Sequence, residues 1–78
     1  MSVHAEVWLT SICVYINDTL HLMFRRSAFM GLQSWPDENC FTIEITLTGC
    51  APIVAKYEKQ ETWAAVLGAL AKMDITAV

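Results

Sequence analysis

Charge is scarce in this chain, and positive charge most of all. Only 17% of the 78 residues are charged, with 5 Lys and Arg against 8 Asp and Glu, for a formal net charge of −3. Nucleic-acid affinity rests on clustered positive charge, so this balance argues against a phosphate-tracking protein. The one basic cluster, Arg25-Arg26, is not a patch by itself on a strand, where neighbours point to opposite faces. Trp8, Tyr15 and Trp35 offer surfaces for base stacking, but the interleaved basic residues of a nucleic-acid groove are missing.

Long hydrophobic runs are also absent. The longest, Trp63 to Ala71, is far short of the roughly 20 residues of a membrane span. The N-terminal stretch has no basic region and carries Glu6 early, unlike a signal peptide. The cysteines, Cys13, Cys40 and Cys50, are odd in number and lack metal-site spacing. Cys40 and Cys50 bracket an apparent strand and would lie about 30 Å apart, too far to bridge. Reduced cysteines suit a cytoplasmic protein. Histidine is limited to His4 and His21, with no helical i,i+4 partner and no ligand pair, so neither metal nor cofactor is expected. Glu58 and Glu61 read as polar residues at a helix start, and no glycine-rich phosphate loop is present.

What the chain has in excess is apolar surface. Hydrophobic residues make up 55% of it. A domain of this size buries only about 60% of its unfolded surface and is marginally stable alone. Apolar or small residues on two sides of its elements therefore predict contact with another chain.

Alternation over residues 3–9 predicts a strand with Val3, Ala5, Val7 and Leu9 on one face. The apolar parity then flips to Ile12, Val14 and Ile16. Either a bulge near Thr10-Ser11 keeps one strand going, or the chain turns and two strands exist. Asn17-Asp18-Thr19 reads as a turn. A three-residue loop, aligning Ile12, Val14 and Ile16 with Phe24, Leu22 and Leu20, segregates the aliphatic residues better than a two-residue loop does. Met30 to Asn39 reads as a loop and Cys40 to Thr48 as a strand. In that strand Phe41, Ile43, Ile45 and Leu47 point inward, and a threonine-rich face points to solvent. Ile53 to Tyr57 reads as the returning strand. Residues 60–73 predict a helix with a stripe of Trp63, Val66, Leu67, Leu70 and Met73. The expected architecture is a single α+β domain: an antiparallel meander of about four strands with one C-terminal helix packed across one face.

One pair suggests chemistry. In the preferred register Cys13 and His21 are diagonal neighbours on the outer face, roughly 7 Å apart at the backbone. A thiol beside an imidazole is the start of a nucleophilic site. It lacks an orienting acid, an oxyanion hole and a cleft, so no enzyme activity is expected.

The remaining signal is for binding. Trp8, Tyr15, Met23, Arg25 and Trp35 are of the types that enrich interface cores, and they predict a partner-binding surface. The alternative is that the loop at 30–39 folds over these strands, with Trp35 as its lid. On the helix, Ala64, Ala65, Gly68 and Ala69 form a small-residue face that permits close approach and suits self-association into a homodimer. The expected function is that of a cytoplasmic interaction module that binds or inhibits a protein partner. A small apolar-ligand binder, with a pocket between sheet and helix or across a dimer, is the alternative. In general style only, a short acidic chain without enzyme motifs resembles the accessory proteins of phages and mobile elements, many of which block a host protein.

Overall fold

The computed structural model describes residues 1–73. The alternating stretches form six strands: β1 (Val3–Val7), β2 (Ser11–Ile16), β3 (Thr19–Arg25), β4 (Phe29–Pro36), β5 (Phe41–Leu47) and β6 (Ile53–Tyr57). A 3-10 turn at Arg26–Ala28 joins β3 to β4, and helix α1 (Gln60–Ala71) follows β6. The class is α+β as expected. The sheet, however, is two antiparallel three-stranded sheets, ordered β1-β2-β3 and β4-β5-β6, rather than one of about four strands.

Two local events produce the extra strands. At residues 8–11 the chain turns, with the Trp8 N–H donating to the Ser11 carbonyl at 2.8 Å. Val7 therefore pairs with Ile12, and β1 and β2 form a hairpin. This places Val7 at the sheet end and Leu9 at the turn tip, 90% exposed, so neither belongs to the core. The second event is at 29–36, where the expected loop is strand β4. Its run Gly31-Leu32-Gln33-Ser34 lacks apolar alternation. Pairing with β5 on one side holds the segment extended all the same, a tertiary contact overriding a weak local preference.

The β2–β3 connection combines both registers considered from the sequence. Asn17 and Asp18 adopt positive φ, 50° and 65°, the requirement of a two-residue type I′ turn, which Asn and Asp tolerate best after Gly. The Asn17 side-chain oxygen accepts the Ser2 N–H at 2.9 Å, tying the chain start to this turn. Beside the turn Tyr15 pairs with Leu20, the two-residue register. Past Val14 the pairing shifts, and Cys13–Met23 and Ile12–Phe24 follow the three-residue register. His21 is the extra residue of the resulting bulge. Leu20 consequently lies on the outer face and is half exposed, not in the core.

The inner faces of both sheets and one side of α1 share a single core. Ile12, Val14 and Phe24 come from the first sheet, Ile43, Ile45 and Tyr57 from the second, and Val66 and Leu70 from the helix. Trp63, Leu67 and Met73 pack against this cluster, so the predicted helix stripe faces inward. Full burial of Val66 and Leu70 contributes on the order of 2 kcal/mol each. The threonine face of β5 is less solvated than its composition suggests. Thr42 is 1% exposed, because it lies between Trp35 of β4 and Lys56 of β6 on the central strand of its sheet.

Candidate functional site

The outer face of the first sheet is built by three rows of cross-strand neighbours. Partners in an antiparallel register point to the same side. One row is His4, Tyr15 and Leu20, and the next is Glu6, Cys13 and Met23. The turn hydrogen bond at Trp8 and the Ser11–Arg25 pair add Trp8, Ser11 and Arg25. Four of the five predicted partner-binding residues, Trp8, Tyr15, Met23 and Arg25, thus converge on one surface. Trp35 does not join them. It lies on the outer face of the second sheet, opposite Thr42, and is no lid over the first.

This surface is apolar with charge at its margins. Trp8 is 57% and Met23 58% exposed, while Cys13 at the centre is 6% exposed. The Tyr15 ring stacks on His4, with centroids 5.0 Å apart and planes 12° from parallel. His4 Nε2 lies 3.5 Å from Glu6 Oε2. Desolvation, then the Glu6 carboxylate and the Cys13 thiol, hold the Tyr15 hydroxyl above its usual range. Tyr15 therefore stays a protonated donor at neutral pH. Arg25 is exposed at the far end, without an ion pair among the described residues.

Around that end runs an open groove of about 840 Å³, lined by Leu9, Met23, Phe24, Arg25, Arg26 and Ser27 among others. The Arg26 N–H donates to the Thr10 carbonyl at 3.0 Å and holds the β1–β2 turn against the 3-10 turn. This groove lies at the sheet end; a second one, of about 610 Å³, lies between β1 and α1, one of the two places expected for a ligand pocket, the other being across a dimer.

The Cys13–His21 pair is not assembled. The bulge re-aims His21 away from the outer face toward the second sheet, as bulges commonly do. There His21 Nε2 lies 2.6 Å from the Tyr57 hydroxyl. Burial pushes the Tyr57 hydroxyl up to about 12 and lowers the His21 pKa. A neutral imidazole and a neutral phenol thus share this hydrogen bond, a polar link between the sheets. No residue pattern announced it, because the bulge depends on how the turn and the core compete for register.

The link carries a pH dependence of definite sign. A histidine whose folded pKa is lowered below its ordinary 6.5 contributes stability at pH above that value, lost as pH falls through the folded pKa. Denaturation midpoints should fall between pH 8 and pH 5, and the fall should be smaller in His21→Phe. The difference between the two curves isolates the contribution of His21. Identical pH slopes would remove this role.

The helix residues predicted for self-association divide. Ala64 is exposed, whereas Ala65, Gly68 and Ala69 are half-buried and line the second groove of about 610 Å³ with Met1, Val3 and Ala5. β1 lies along α1 within the same chain, with this groove between them. A Cβ at Gly68 would meet nothing within 4 Å, so no close contact in this fold requires glycine there.

Among the described residues no helix is long and apolar enough to cross a membrane, and no three His, Cys, Asp or Glu gather as metal ligands. Cys13, Cys40 and Cys50 are free thiols. No protein-family model, curated protein or solved structure matches this chain.

Proposed function

We propose that this chain is a non-enzymatic, cytoplasmic interaction module, self-associated as a homodimer, that binds and blocks a protein partner through the outer face of its first sheet. One observation carries the reading. Trp8, Tyr15 and Met23 surround a buried Cys13 on a single uncovered face, with Arg25 at its end. Aromatic residues, Met and Arg around a water-excluding centre are the composition of interface hot spots. The separation of Cys13 from His21 supports a binding role over a catalytic one.

The test is capture from the native host with wild type and with Met23→Glu. Met23 is exposed, so the variant should fold normally, with an unchanged circular dichroism spectrum. A carboxylate buried unpaired at an interface costs several kcal/mol, and a specific partner should be lost from the eluate. Equal recovery with both proteins would place binding elsewhere.

The open groove at the sheet end favours a second reading. Its volume lies within the roughly 300–1,000 Å³ of small-molecule sites, and Arg25 and Arg26 beside Leu9 and Phe24 suit an apolar ligand with an anionic head. Native mass spectrometry before and after denaturation separates the readings, because a bound ligand adds mass that denaturation removes.

A further inference from the structure

The free edge of β4 differs from the other three sheet edges. β1 lies along the helix, β3 is broken by the His21 bulge and ends in Arg25, and β6 is five residues long and carries Lys56. β4 is eight residues long, has no charged residue and, among the described residues, is paired with β5 alone. Unpaired edges are templates for further strands, and proteins usually blunt them with charge, bulges or cover.

We propose that β4 is the seam at which two copies of this chain join, antiparallel across a twofold axis centred on Gln33. The inference rests on the self-association in the reading above and assigns its surface. A twofold axis between antiparallel edges keeps each outer face continuous with its mate, so Gln33 faces Gln33 of the second copy. Gly31 then faces Trp35 of the second copy, and Leu32 faces Ser34.

Register and charge select a second copy as the occupant. The pairing of β4 with β5 slips between Phe29 and Gly31, and Pro36 has no N–H to give. Gly31 to Trp35 is therefore the regular segment, and only an axis at Gln33 pairs all five residues without the bulge or the proline. An axis brings each side chain of its central residue against its own copy, which is unfavourable for a charged residue and harmless for Gln. In a chain of net charge −3, an uncharged edge is the one that tolerates self-pairing. A Cβ at Gly31 would meet nothing within 4 Å, and Trp35 is 38% exposed on the same outer face. In this register each Trp35 covers the other copy's Gly31, the aromatic-over-glycine arrangement that stabilises sheet edges. The product is a continuous six-stranded sheet, β6-β5-β4-β4-β5-β6, in a closed dimer with both helices on one side.

Directly opposed residues have Cα atoms about 4.5–5.5 Å apart, within the roughly 4.4–6.8 Å that a disulfide spans. In a Cys50→Ser background, Gln33→Cys should give a reducible covalent dimer on mild oxidation. Cys50→Ser alone should not, nor should Ser34→Cys, whose copies are offset along the strand. Sedimentation of wild type at micromolar concentration should show a dimer, and Gln33→Lys, with like charges opposed, should weaken it at least tenfold without altering circular dichroism. A wild-type dimer that Gln33→Lys leaves intact and Gln33→Cys does not cross-link would overturn the β4 seam and leave self-association standing. A wild-type monomer across that range would overturn both.

Discussion

Trp63→Ala is expected to leave a largely unfolded or aggregated chain. Trp63 opens the helix stripe and joins α1 to the second sheet in two ways. Its ring packs on Phe41 with centroids 5.1 Å apart, and its Nε1 donates to the Thr42 carbonyl at 3.2 Å. The ring is half-buried against the shared core, so truncation removes its packing and its hydrogen bond together. Replacing a buried Trp with Ala costs roughly 3–5 kcal/mol, and partial exposure places this site near the lower end. A domain this small has a total stability of similar size. Chemical denaturation followed by circular dichroism measures the loss. A soluble variant that unfolds cooperatively with less than ~1 kcal/mol lost would mean that the helix does not depend on this contact.

The second large effect is expected in binding. Trp8→Ala should leave the melting temperature nearly unchanged, because the side chain is mostly exposed and the turn is closed by its backbone N–H. Affinity for the partner should fall by ~2 kcal/mol or more, about thirtyfold, if Trp8 is a hot spot of the proposed surface. Tyr15→Ala should show a mixed pattern, since Tyr15 also stacks on His4 and interacts with the Cys13 thiol. A melting curve and a titration for each variant separate the two roles. A large loss of thermal stability in Trp8→Ala would assign that residue to the fold rather than to recognition.

The legible parts of the fold are those with strong local periodicity. Phe41–Leu47 and Ile53–Tyr57 are strands, and Gln60–Ala71 is a helix whose Trp63, Val66, Leu67 and Leu70 face the core, with Met73 just past its end packed there too. The candidate surface was legible in part. Trp8, Tyr15, Met23 and Arg25 fell together because the Cys13–Met23 register was readable from where the aliphatic residues lie. Trp35 was misplaced because its segment lacks a period, and β4 is a strand only by virtue of β5 beside it. The Cys13–His21 pair dissolved for a related reason. A type I′ turn at Asn17-Asp18 and the core pairing of Ile12 with Phe24 demand registers that differ by one residue. The bulge that reconciles them turns His21 to Tyr57.

By itself, then, the amino-acid order determined the class of fold, the helix and its buried stripe, the central strand of the second sheet and the scarcity of positive charge. Each of these depends on residues a few positions apart, where spacing alone sets the face. Only the tertiary structure decided the number of sheets, the burial of Thr42, the His21–Tyr57 link and the free edge of β4. These depend on which strand lies beside which, a competition among distant contacts that no local pattern encodes.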